Sequence, residues 1–320
     1  MNYNFTKLDI TKDDIIEYER LSITRSFFDL FFLIISTIII IKISILLLNN
    51  NYFFLIPPFM FIIASRVGAF LNLMHEAAHS ILFKHMHMNN IAGKWFLGFP
   101  IGIIFEDYTK RHLHHHAHTT TEKEPQSDKD KYEIVDYKNK KIFLYFLYDL
   151  IGFSALKVFF SIGEKNVKKN KSKNVLLNLL KILFVQIIII LFVFEFNYVN
   201  YFIFWLYPII GPHMFLMRIR GIAEHGLFKQ KNIVIKNVQE GLLNTRSFLT
   251  PSFRYTNIFI FIIEKFLIGT FNVNYHHEHH LCPKIPHYNL EYFHKKIYTK
   301  VLNLNSDVYE KGYLKAFFWK

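Results

Sequence analysis

A chain of 320 residues that is 52% hydrophobic, yet carries 38 Lys+Arg, 17 His and a formal net charge of +13, cannot fold as an ordinary soluble domain without long apolar runs. No nucleic-acid-binding signature accompanies the positive charge, which excludes nucleic acid as its partner. The single cysteine, Cys282, excludes an internal disulfide framework and any cysteine-based zinc site.

Residues 1–26 read as a polar leader, with a short amphipathic helix that Thr11 caps through Asp14. Asp9, Asp13, Asp14 and Glu17 come before any apolar run, unlike a cleaved signal peptide. Phe27–Leu48 is the first apolar run, and as a helix it measures about 33 Å, the thickness of a bilayer core. Phe53–Leu73 follows after a four-residue polar link, with Arg66 near enough to its inner end to snorkel. Val175–Phe194 and Tyr198–Met217 repeat the arrangement across Glu195-Phe196-Asn197, with Lys181 and Arg218 at their inner ends. No Lys or Arg lies between Ile43 and Ser65 or between Ile182 and Met217. This asymmetry predicts two membrane hairpins with their tips outside, and cytoplasmic placement of both termini, of Met74–Asn174 and of Arg218–Lys320. Ile91–Phe105, Ile142–Ile162 and Thr256–Phe271 are apolar but short or interrupted by charge, and are expected as interfacial helices, with a fifth or sixth span as the alternative. Glu122–Lys141 and Gly163–Asn174 are expected as solvated loops.

Three histidine clusters stand out. His75-Glu76-Ala77-Ala78-His79 closes the second run, and its i, i+4 spacing puts both imidazoles on one helical face. In His112-Leu113-His114-His115-His116-Ala117-His118, helical spacing aligns His112, His115 and His116. In His276-His277-Glu278-His279-His280 it aligns His276, His279 and His280. A lone histidine is usually structural or solvated, which is the reading for His85, His87, His213, His287 and His294. Three clusters at membrane edges on the same side are not explained that way. Imidazole suits Zn, Cu, Fe and Ni, and a structural zinc needs only four ligands. Eight aligned histidines therefore imply two metals, and oxidative chemistry with O₂ calls for iron. His75-Glu76-x-x-His79 also satisfies the zinc metalloprotease pattern with Glu76 as general base, but a protease leaves two clusters without a role.

These boxes resemble those of the membrane fatty acid desaturase superfamily. His112-Leu113-x-His115-His116-x-His118-Thr119, followed by Glu122-x-Glu124-Pro125, is similar to the H-L-x-H-H-x-H-T-x-x-E-x-D-P stretch of bacterial members. Arg220-Gly221-Ile222-Ala223-Glu224-His225-Gly226 resembles R-x-x-x-E-H-G, and Asn274-Tyr275-His276-His277-Glu278-His279-His280-Leu281-Cys282-Pro283 resembles N-Y-H-x-E-H-H-L-x-P. Leu is usual where His277 stands, Phe at Cys282, and Asp at Glu124. The resemblance runs from about Phe27 to Leu290. It implies an all-α integral membrane fold with four transmembrane helices in two hairpins, interfacial helices, and a cytosolic helical cap holding a di-iron site. The desaturase domain would be residues 27–290, between the leader and a cytosolic C-terminal tail, 291–320. It further implies ligation by His75, His79, His112, His115, His116, His276, His279 and His280, and by a ninth histidine, His225. His114, His118 and His277 have no counterpart among the family's ligands. Glu76, Glu224 and Glu278 are candidates for orienting ligand imidazoles, and Cys282 for packing. The implied activity is O₂-dependent desaturation of a lipid acyl chain, with hydroxylation or ketolation as the alternative. Electrons would come from a separate redox protein of ferredoxin or cytochrome b5 type.

Overall fold

The computed structural model describes residues 11–119, 121, 123–124, 141–156, 172–225, 245–248, 258–304, 306–310 and 312–313. Glu122, Pro125 and most of the two expected solvated loops lie outside the described residues, as do residues 1–10 of the leader and the ends of two expected interfacial helices. The chain is mostly helical, and four helices are long and apolar enough to cross a membrane: Ile23–Asn49, Phe53–Ala78, Val175–Phe192 and Tyr198–His225. These are the four runs seen in the sequence. The first, second and fourth helices extend past the apolar limits because polar ends continue the hydrogen-bond ladder.

The first long helix starts at Ser22, whose hydroxyl accepts from the Arg25 N–H at 3.3 Å. Its buried stripe of Ser26, Leu30, Leu33, Thr37, Ile41 and Ser44 recurs at three- and four-residue spacing. Thr37 donates to the Leu33 carbonyl at 2.6 Å and Ser44 to that of Ile40 at 2.7 Å. Small polar residues thus face the neighbouring helix with their hydroxyls already satisfied, which permits close approach. Phe28, Phe31, Phe32, Ile35 and Ile39 face outward and are exposed. The second helix opens on Pro57 and Pro58, where no N–H is needed, and ends with His79 as its C-cap.

Ile91–Phe105 is not one regular helix. A short helix Met86–Ile91 runs into a π-helical stretch, Ala92–Gly98, and a 3₁₀ turn, Phe99–Ile101, with Leu97, Phe99, Pro100 and Ile101 buried. A Cβ on Gly93 would lie 2.4 Å from the Phe105 ring, so glycine alone lets the next helix, Phe105–His118, start against this segment. Gly102, at φ 74°, turns the chain into it. Gln186 on the third long helix donates to the Phe99 and Pro100 carbonyls at 2.9 Å each, and Tyr201 donates to Gln186 at 2.9 Å. Trp205 also donates to the Pro100 carbonyl. The irregular backbone is therefore satisfied by its neighbours, as a non-aqueous setting requires.

Ile142–Ile162 is helical over Lys141–Leu150 and breaks at Gly152, at φ 82°. Thr256–Phe271 is helical over Ile258–Leu267 and turns 74° into the segment Thr270–Leu281, because Phe271 and Asn272 take positive φ. Arg66 does not reach outward. It is buried, with its guanidinium 4.9 Å from the Phe266 ring centroid. The expected boundary after Leu290 falls inside one continuous helix, His287–Leu304, whose Leu290, Phe293, Ile297 and Val301 are core residues.

His287 ties this last helix to the first two long ones. Its Nε2 is 3.1 Å from Asp29 and its Nδ1 3.2 Å from Glu76, whose carboxylate also accepts the His287 N–H at 3.0 Å. Burial alone would lower the His287 pKa, but the hydrogen bonds and charges of Asp29 and Glu76 outweigh it and raise the value above 6.5. The folded state favours the imidazolium, so its contribution is full below pH 6.5 and is lost as pH rises through the raised folded value. Replacing His287 with Leu strands two buried carboxylates and should cost about 3–5 kcal/mol below pH 6.5. Thermal melting in detergent checks this. An unchanged melting temperature at that pH would remove the bridge from the account.

Candidate metal centre

Four helices carry the nine histidines. His75 and His79 stand at the end of the second long helix, and His225 closes the fourth. His112, His115 and His116 lie on Phe105–His118, and His276, His279 and His280 on the short helix His276–Leu281. The ligand-capable atoms of His75, His79, His112, His116 and His279 all lie within 4.8 Å of one another. The same holds for His115, His225 and His280, and for Glu224, His225 and His276. All nine thus fall into two neighbouring groups, and the stacked rings of His116 and His280, 4.2 Å apart, join them.

The donors fit metal ions. Nε2 atoms face each other at 2.8 Å between His79 and His112, 2.8 Å between His225 and His276, and 3.1 Å between His116 and His279. Two donors at right angles on one first-row ion, each 2.0–2.1 Å from it, lie about 2.9 Å apart. His280 Nε2 is buried without a hydrogen-bond partner, a condition that costs about 1–3 kcal/mol unless a cation accepts the lone pair. Burial, with the neighbouring His115, lowers the His79 pKa to about 4. Burial first, and nearby imidazoles second, push His112 and His116 well below 6.5. At neutral pH these rings are uncharged, which is the metal-binding form.

The carboxylates divide differently from the sequence expectation. Glu224 faces a box imidazole, with Oε2 3.5 Å from His276 Nδ1. It also accepts from Arg220 Nε at 2.9 and 3.0 Å, and Arg220 donates to Asn72 at 2.7 Å. Glu76 is turned to His287. Glu278 accepts from His294 Nδ1 at 2.6 Å, from the Tyr309 hydroxyl at 3.0 Å and from Ser247. Both are bonded to the surrounding frame rather than to a box ring. The partner that spacing did not single out is Glu124, a motif position nine residues past His115, whose carboxylate meets His115 Nδ1 at 2.5 Å. Its signal was the acidic residue before Pro125. Nothing in helical periodicity could show that the chain folds back there.

His114, His118 and His277 join neither group. His114 is exposed and 2.9 Å from the Lys123 carbonyl, while His277 is fully buried with Nδ1 2.8 Å from Thr245 Oγ1. His213 is buried beside Gly68, and His294 is a partner of Glu278. Burial raises the Cys282 thiol to about 12, so it packs as a neutral side chain. A narrow crevice lined by Ala64, Gly68, Leu216 and Leu267, with Asn72 and Arg220, lies between the second and fourth long helices.

The sequence profile of the fatty acid desaturase family matches residues 50–306, well over half of the chain and all nine histidines. The chain belongs to the fatty acid desaturase family. No curated protein sequence matches it. Within this desaturase-family frame Glu124 offers a direct test. Glu124→Ala removes the acceptor that orients His115, and should weaken metal affinity by roughly 10–100-fold while leaving the helical content intact. A metal titration followed by circular dichroism separates the two effects.

Proposed function

We propose that the protein is an O₂-dependent desaturase that introduces a double bond into a lipid acyl chain, with two iron ions held by the nine histidines. The observation that carries this reading is the pair of adjacent imidazole groups, five histidines in one and four in the other. A zinc protease gains no support from the geometry, because Glu76, its would-be base, is bonded to His287.

Iron, when bound, supplies the O₂ activation that breaking an unactivated methylene C–H bond demands. Overall, two hydrogens leave the acyl chain, and O₂ with two electrons and two protons is reduced to two waters. The electrons come from a separate redox protein of ferredoxin or cytochrome b5 type. What the chain itself contributes is placement. Neutral imidazoles offer lone pairs, Glu124 fixes the tautomer of His115, Glu224 faces His276 Nδ1 at 3.5 Å, and Arg220 pairs with the buried Glu224. Which carbon of the acyl chain is held at the centre sets the position of oxidation.

The membrane arrangement belongs to the same proposal. The four long helices form two hairpins, the catalytic domain runs from about residue 27 through the helix His287–Leu304, past the expected boundary at 290, and the boxes and both termini face the cytoplasm. Supporting it, Lys42 near the end of the first helix pairs at 2.5 Å with Glu195 in the second connector, which puts both connectors at one end. All nine histidines gather around the opposite helix ends. Tags at Asn50 and Asn197 should react only from outside, and tags at Lys129 and Lys320 only from the cytoplasm.

The purified protein should hold about two irons per chain, as its ligand count demands. His225→Ala should abolish turnover and lower iron content while the protein stays folded, and His114→Ala, outside both groups, should keep substantial activity. Mass spectrometry of lipids from a host expressing wild type or His225→Ala checks the chemistry. A hydroxylated product would replace desaturation with hydroxylation, and one zinc without iron would defeat the reading altogether.

A further inference from the structure

The family match ends at residue 306, and just beyond it the chain returns to the histidine groups. Ser306–Val308 makes a 3₁₀ turn, and Tyr309–Glu310 then pairs in parallel with Ser247–Phe248. That short pairing sits against the third box. Ser247 Oγ accepts from the His277 N–H at 2.9 Å and donates to Glu278, and the Phe248 N–H donates to the Asn274 carbonyl at 2.8 Å. The strand delivers two phenols to two carboxylates. Tyr309 donates to Glu278 at 3.0 Å, and Tyr313 donates to Glu224 Oε1 at 3.3 Å. Tyr313 is 1% exposed, its ring stacks on Phe248 at 3.9 Å, and its N–H donates to Glu264 at 3.2 Å.

Glu224 is the carboxylate that faces a histidine of the second group. Its terminal torsion is broad and roughly two-fold, so the backbone alone does not decide where Oε2 points. Arg220 Nε lies between the two oxygens, at 2.9 and 3.0 Å, and distinguishes them poorly. The Tyr313 hydroxyl bonds Oε1 alone, which leaves Oε2 directed at His276 Nδ1. Fixing that nitrogen fixes the other, and His276 Nε2 is the atom that meets His225 Nε2 at 2.8 Å.

We propose that Tyr313 is a positioning residue of the metal centre, acting through Glu224 on His276, and that Ser306–Tyr313 is thereby a working part of the site rather than a free tail. The proposal rests on the reading of the nine histidines as ligands for two ions. Tyr313→Phe removes only the hydroxyl and keeps the ring that stacks on Phe248.

The test is a Co(II) titration of metal-free, full-length protein in detergent, followed by visible absorption, for wild type, Tyr313→Phe, Glu224→Gln and the double variant. Circular dichroism monitors the fold. Wild type should take up two Co(II). Tyr313→Phe should weaken one of the two by roughly 10–100-fold and leave the other unchanged. In the Glu224→Gln background the same substitution should add nothing, because the route from Tyr313 to His276 is already cut. A purely structural tyrosine predicts undiminished affinity in Tyr313→Phe, and that result overturns the proposal. Independent, additive losses in the double variant overturn it as well. Wild type that fails to bind two Co(II) overturns the metal-centre reading itself, a failure distinguishable from the other two.

Discussion

Nine imidazoles gathered in two neighbouring groups, six of them buried, impose the constraint on which the rest of the molecule depends. Protonated, they would repel each other in a medium that screens charge poorly, and burial alone already disfavours the charged form. Neutral, each ring keeps one N–H and one lone pair, and Nε2 atoms meet at 2.8 Å at His79–His112 and His225–His276. A shared cation, as proposed, would take the lone pairs of several neutral rings at once.

Such a site needs rigid walls, because an imidazole displaced by an ångström no longer shares an ion with its neighbour. The walls come from helix ends. Two long helices terminate in the site with His75, His79 and His225, and two shorter ones carry the other six histidines. Buried ionic groups then set how the parts meet. His287 holds the last helix to the first two through Asp29 and Glu76. Arg220 links the fourth helix to Asn72 on the second, and Asn72 reaches Thr270 at 2.8 Å, before the third box. These bridges join the long helices to one another, to the last helix and to the segment before the third box. Breaking one strands a buried charge or polar group, which gives these contacts more influence over geometry than their net contribution to stability suggests.

The four long helices were legible because apolar runs bounded by positive charge carry a strong signal. The nine histidines were legible in two ways. Helical spacing gave eight, and only the family resemblance singled out His225, since a lone histidine has no periodicity to betray it. The surrounding residues were not legible for a physical reason. Asp29–His287 and Glu76–His287 join positions more than two hundred residues apart, and Glu124 reaches His115 only because the chain folds back after the second box. No local pattern encodes such contacts. Proximity in sequence even misled, because Glu76 and Glu278 sit among the boxes yet bond His287 and His294. Periodicity likewise hid the break at Ala92–Gly98, where two glycines let Phe105 and the Ile103 carbonyl close in.

The distribution of the nine histidines over the helices also decides how the two groups respond to change. Phe105–His118 sends His112 and His116 to the first group and His115 to the second, while His276–Leu281 sends His279 to the first and His276 and His280 to the second. Neither short helix can shift without disturbing both groups. The long helices differ, for His75 and His79 serve only the first group and His225 only the second. Motion between the second and fourth long helices would therefore strain the separation between the groups, whereas motion of the short helices would strain both ligand sets together. The Arg220–Asn72 hydrogen bond at 2.7 Å lies across the first of these motions, five residues before His225, and Arg220 pairs with Glu224 on the same helix. Placing the cross-helix bond there lets a single buried arginine serve two ends: it links the two long helices through Asn72, and it pairs with the carboxylate beside His276.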